Sequence, residues 1–352
     1  RDGNMSTLNC PEEVYLAEKL ISMHDWSSMV RFARTGGEAN AIAVRIARCF
    51  SKKDNIAICG YHGWHDWYLS ANLSTSKNLD QHLLPGLNPV GVPSNLKNTV
   101  FTFNYNDFEA LCKIVKENDI GIIKMEVVRN EMPKDNFLQK VRELASENSI
   151  VLIFDECTSG FRETFGGLHK KYDVEPDIAI YGKALGNGYP ITAVLGKESI
   201  MQESQSSFIS STFWTEKIGY VAALKTLEVM EREKSWEKVT KIGKTITSKW
   251  KELASEFSLD ISINGIPALS NFSFESDRFF QYKTFISQEM LKRGFLASNV
   301  IYCSTKHEQK IVSKYYDALK EVFSQIKEFE DGKDMSSMLD GPECHQGFKR
   351  LN

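Results

Sequence analysis

The chain has no Cys-x-x-Cys pair, no internal repeat, no low-complexity tract and no marked excess of either charge. Each absence removes a class of protein. Its seven cysteines stand scattered at 10, 49, 59, 112, 157, 303 and 344, an odd number, several inside apolar patterns. Reduced thiols in a core fit this better than a disulfide framework. No apolar run approaches the ~18–20 residues of a membrane helix, and no signal peptide is recognisable, so a cytoplasmic protein without a membrane partner is expected. Lysine and arginine (43) nearly balance aspartate and glutamate (46), and a net charge of −3 gives no global pull toward nucleic acid. No Gly-x-Gly-x-x-Gly follows the first apolar strand, which argues against a nicotinamide-binding enzyme.

What is present is an alternation. Apolar runs rich in β-formers are expected as strands at Met29–Arg34, Asn55–Cys59, Gly121–Val128, Ile150–Asp155, Ile178–Tyr181 and Ile191–Leu195. Helical patterns fall between them at Pro11–Met23, Glu38–Phe50, Asp107–Glu117 and Phe137–Glu147. Such alternation predicts an α/β fold with a mostly parallel sheet covered on both faces. Residues 215–258 read as two long amphipathic helices, with Tyr220, Ala223, Leu224, Leu227 and Met230 at helical spacing. Short strands (Ile261–Ile263, Leu269–Phe274) and helices (Tyr282–Arg293, His307–Glu328) follow. The expected division is a large domain over 1–222 and a smaller C-terminal α/β domain over 223–352, closed by a polar tail or strap from Glu330 to Asn352.

Open α/β sheets bind ligands at the carboxyl ends of their strands, and the residues with chemistry fall there. Asp155 closes the most apolar strand, where a carboxylate is costly unless a cation meets it. Lys183 follows 28 residues later in Tyr181-Gly182-Lys183-Ala184-Leu185-Gly186-Asn187-Gly188, and burial there is expected to lower its pKa. A lysine amine and a carboxylate in this order suit pyridoxal phosphate (PLP): one forms a Schiff base, the other keeps the pyridine nitrogen protonated. Thr35-Gly36-Gly37-Glu38 opens a helix and reads as an anion site or a plain turn. Tyr61 is placed to stack on a flat ring or merely on its neighbours. His62, His65 and Asp66 form too tight a cluster for a metal, so none is expected. Glu126 is a strand-end cap or a pocket carboxylate. Arg129 is an anion clamp or a surface cation, and Thr212 a helix cap or a phosphate ligand.

In Tyr61-His62-Gly63, Phe154-Asp155-Glu156…Gly160-Phe161-Arg162 and Gly182-Lys183…Gly186-Asn187-Gly188-Tyr189-Pro190, the chain resembles the class III, fold-type I, PLP-dependent aminotransferases. Within that family it is most similar to the glutamate-1-semialdehyde 2,1-aminomutase-like members. The resemblance runs from about Asn9 to Lys327. It implies Lys183 as the lysine of the internal aldimine and proton shuttle, and Asp155 on the pyridine nitrogen. Tyr61 and His62 would belong to the cofactor site. The N–H groups of Gly36 and Gly37 would hold the phosphate, with Thr212 reaching in from a second subunit of a homodimer, and Glu126 and Arg129 would face substrate. The activity implied is amino transfer from an amino acid, L-glutamate foremost, to an aldehyde or ketone. The alternatives are the intramolecular mutase reaction or a non-catalytic PLP-fold protein. Three features depart from the family: Thr35-Gly36-Gly37 replaces Ser-Gly-Thr, the segment Leu296–Tyr302 is short and lacks an acidic residue, and Arg129 replaces a small one. The chain opens at Arg1 without Met, and an N-terminal arm of the family is expected to be absent.

Overall fold

The computed structural model describes residues 8–82, 84–345 and 347–348. The chain divides into two compact units, one of residues 1–129 and 133–234, the other of 130–132 and 235–352. The sequence-based division at 222/223 falls inside the helix Lys217–Glu233, all of which belongs to the first unit.

The first unit is built on a seven-stranded sheet of β1 (Met29–Ala33), β2 (Asn55–Cys59), β3 (Val100–Thr102), β4 (Ile120–Glu126), β5 (Val151–Glu156), β6 (Ile178–Tyr181) and β7 (Thr192–Gly196). Their order is β1-β7-β6-β5-β4-β2-β3, with β7 alone antiparallel to its neighbours. β3 was not expected; three residues carry too little pattern to read. All seven residues of β4 and all six of β5 are buried, as near-continuous apolar runs require when both sheet faces are covered. Side-chain alternation sends Ile122, Ile153, Ile178 and Ile180 to one face, packed with helix α2 (Gly36–Ser51). Ala179, Tyr181, Ala193 and Leu195 go to the other, with helix α1 (Pro11–Ile21) and Lys217–Glu233. The expected spacing holds there: Tyr220, Ala223 and Leu227 are buried, with Leu224 and Met230 packed beside them. Sheet order reverses between β2 and β4, the switch point where ligands of such sheets bind.

The second unit packs the helices Ser235–Glu256, Phe279–Lys292 and Gln309–Glu330 against a hairpin of β8 (Ile261–Asn264) and β9 (Asn271–Phe274). Its described tail is a strap along Phe279–Lys292. The Gln288 side chain bonds both the Met338 carbonyl (2.8 Å) and the Asp340 N–H (2.7 Å), and Thr284 Oγ1 accepts from the Cys344 N–H at 2.8 Å. Residues 346 and 349–352 of that tail lie outside the described ones.

Candidate active site

β1, β2, β4, β5 and β6 all run in one direction, so the residues that follow them gather along one edge of the sheet. Glu126 and Asp155 are register partners, as are Glu156 and Tyr181, two residues before Lys183. The residues named from sequence at the ends of β2, β4, β5 and β6 are thereby neighbours.

Asp155 is buried, 4% exposed. Its Oδ2 accepts from His62 Nδ1 at 2.9 Å, and its Oδ1 from the Cys157 N–H at 3.1 Å. Burial would raise the carboxyl pKa, but the His62 hydrogen bond and the charge of Lys124 outweigh it, and Asp155 is held below the usual carboxylate range. His62 is wholly buried, and that burial pushes its imidazole pKa down against the pull of Asp155. The cation that an acid at this strand end called for is supplied within the fold by Lys124.

Lys183 departs from expectation. Its side chain is exposed rather than buried, and its Nζ donates to Thr158 Oγ1 at 2.7 Å, bridging the turns that follow β5 and β6. Its backbone takes φ +42°, the left-handed region that non-glycine residues rarely enter.

Thr35 and Glu38 form a capping box at the start of α2, Thr35 Oγ1 accepting from the Glu38 N–H at 3.3 Å and Glu38 Oε2 from the Thr35 N–H at 2.9 Å. The first two helical residues, Gly36 and Gly37, have N–H groups with no intrahelical acceptor. A Cβ on Gly37 would meet His65 Cε1 at 2.5 Å, and one on Gly36 would lie 3.7 Å from Cys157 Sγ. Only glycine lets the loop after β2 approach this helix end so closely.

Tyr61 is half-buried, edge-on to Tyr68 at 6.0 Å. Its N–H donates to Glu126 Oε2 at 3.1 Å, and Arg129 Nη1 reaches the same oxygen at 3.2 Å while its guanidinium lies 5.8 Å from the Tyr61 ring. Burial raises the Glu126 pKa, partly opposed by Arg129. Arg129 is thus engaged by Glu126 and the Tyr61 ring rather than free on the surface. Thr212 is exposed at the start of a short 3-10 turn, and Ser211 before it makes no side-chain cap bond. Asp66 opens a short helix, while His65 stacks on Trp64 at 4.9 Å. Among the described residues, no three His, Cys, Asp or Glu side chains converge as a metal site would need.

Three participants escaped the sequence reading: Lys124, Cys157 and Thr158. Only Lys124 left a signal, as a lone charge inside an apolar strand.

The sheet order is that of a PLP-dependent fold-type I enzyme. The sequence profile of aminotransferase class-III matches residues 4–299, and the chain belongs to that family. It is 31% identical over 328 residues to a 3-aminobutyryl-CoA aminotransferase of Cloacimonas acidaminovorans, covering 89% of this chain and 75% of that one. It is 32% identical over 333 residues to a glutamate-1-semialdehyde 2,1-aminomutase of Methanothrix thermoacetophila, covering 88% and 76%. Among solved structures, the FumI protein of Sphingopyxis sp. MTA144 in its PLP internal aldimine form superposes with a TM-score of 0.84 at 21% identity, over 96% of this chain and 80% of that one. An omega-transaminase from Sphaerobacter thermophilus gives 0.80 at 21%, over 92% and 80%. At such identity these two speak for the fold alone. The enzyme is of the aminotransferase and aminomutase class, and its cofactor is pyridoxal phosphate. The residues present suit that group: a buried ionised carboxylate, a lysine on the next strand end, an aromatic ring and a glycine-lined helix start.

Proposed function

We propose that this enzyme transfers the amino group of L-glutamate to an aldehyde or ketone, with Lys183 as the lysine that carries the cofactor. The observation that carries this reading is the placement of Asp155 at the end of β5 and Lys183 just past the end of the adjacent strand β6. Bound there, pyridoxal phosphate supplies an aldehyde for the amine and a ring that withdraws electrons from the substrate's Cα.

The chain's own residues have separable tasks. Asp155, held ionised, would accept a hydrogen bond from the protonated ring nitrogen and keep it protonated, and His62 fixes the orientation of its carboxylate. Gly36 and Gly37 offer N–H groups and a helix N-terminus to the phosphate. Thr212, exposed on its turn, contributes a hydroxyl to the phosphate of a second copy in a homodimer. Tyr61 gives a flat face for the ring. The Lys183 Nζ, once displaced from the cofactor by substrate as a neutral amine, would move the proton at substrate Cα. Arg129, already beside Glu126 and Tyr61, offers its remaining donors to a substrate carboxylate, while Glu126 restrains the guanidinium.

The relatives include a mutase as well as a transaminase, and one experiment separates the two reactions. The purified enzyme with PLP is given L-glutamate alone. Transamination predicts loss of the visible absorbance of the lysine-linked cofactor and release of 2-oxoglutarate, one per active site. Colour that glutamate leaves untouched, with no 2-oxoglutarate, overturns the proposed donor and favours the mutase reaction.

A further inference from the structure

β4 holds a lysine where only apolar side chains would be at ease. Lys124 sits between register partners Ile58 and Ile153, is 0% exposed, and its Nζ has no hydrogen-bond partner. An ammonium in such a place costs several kcal/mol unless a nearby charge compensates it. Strand alternation puts Lys124 and Glu126 on one face of β4, the face that α2 covers. Glu126 is register partner to Asp155, so Lys124 lies one pleat below the two carboxylates that end these strands.

The groups that act on it are Asp155 and Cys157 from β5 and its turn, and Glu126 from its own strand. His62, from the loop after β2, feels its charge in turn. The buried residues of α2 are uncharged. Burial lowers the Lys124 pKa to about 8, against the pull of Asp155 first. Lys124 in turn helps hold Asp155 ionised.

We propose that Lys124 is a positioning residue that acts through Asp155: its ammonium is the counter-cation of that carboxylate before the cofactor arrives, and it gives up a proton when the protonated pyridine ring takes its place. This rests on the reading of Asp155 as partner of the ring nitrogen. The balance is simple. The ring brings one positive charge to Asp155, the Lys124 Nζ loses one proton to solvent, and the carboxylate faces a single cation throughout. Cofactor binding then competes with the Lys124 proton, so affinity rises with pH until the ammonium is gone. With a pKa of about 8, the competition weakens binding about tenfold at pH 7.

The test titrates pyridoxal phosphate into the cofactor-stripped full chain and into Lys124→Met from pH 7 to 9. Affinity is read by visible absorbance, and proton release by calorimetry in two buffers of different ionisation enthalpy. Lys124→Met should bind up to about tenfold more tightly at pH 7, with the gap closing by pH 9, and should release up to one proton fewer at pH 7. A gap of the same size at every pH, weaker binding throughout, or equal proton release overturns the proposal. Lys124→Leu repeats the comparison if the first variant fails to fold; failing both, wild-type proton release must fall by up to one proton between pH 7 and 9, and a flat profile overturns it. If wild type binds no cofactor through Lys183, the reading of the site fails instead, which is a different result.

Discussion

At the scale of single residues, the site depends on which groups carry charge. Lys183→Ala should leave the fold intact and reduce turnover by on the order of 10³-fold or more, because both nucleophile and proton carrier are lost. Steady-state kinetics with a circular-dichroism melt check both halves of that statement. Arg129→Ala should raise KM for a carboxylate-bearing substrate by about tenfold or more while changing kcat little, as loss of a charge-assisted hydrogen bond of ~1.5–3 kcal/mol implies. An unchanged KM would return Arg129 to a structural role beside Glu126. Asp155 and Lys183 were legible as residues because each stands next to an apolar strand. Their partners were not: His62 stands 93 positions from Asp155, and only sheet order brings them together. Lys183 differs from expectation in one respect: it was expected to be buried and is exposed, bonded to Thr158 across the strand ends.

At the scale of elements, two junctions carry the stability that the site needs. The start of α2 is closed by its capping box, and Glu38→Ala should cost about 1 kcal/mol in urea unfolding. Gly37→Ala should do more harm to cofactor retention, because its methyl displaces His65 from the helix end. The second junction is His24, whose Nδ1–H donates to the Leu20 carbonyl while its Nε2 accepts from the Gly167 N–H at 3.0 Å. Burial lowers its pKa to about 4 from 6.5, and that of His82 similarly. A base whose pKa is lowered by folding stabilises the fold above its unfolded pKa, and that stability fades as pH falls from about 6.5 to about 4. Between pH 7 and 5 each should cost roughly 2 kcal/mol, and His24→Gln should flatten part of that slope. A urea midpoint insensitive to pH over this range would contradict it. Element positions were readable to within a few residues wherever four or more apolar residues ran together, as in β2 and β6. β3, with three residues, was missed; β7 was expected as a strand at Ile191–Leu195, but its reversed direction was not assigned, because register and direction live in long-range pairing rather than local pattern.

At the scale of the whole molecule, the expected assembly is a homodimer. Unit one leaves Tyr15 (56% exposed), Trp64 (70%) and Phe213 (60%) uncovered. Sedimentation should give twice the mass of 40.0 kDa, and a monomer that still turns over would exclude Thr212 from its neighbour's site. The central claim is narrower: one lysine of this chain holds the cofactor. The direct measurement is to load the protein with pyridoxal phosphate, reduce it with borohydride, digest it and locate the modified lysine by mass spectrometry. The account predicts a single pyridoxyl group on Lys183. A group on Lys124 or elsewhere, or none at all, would contradict it.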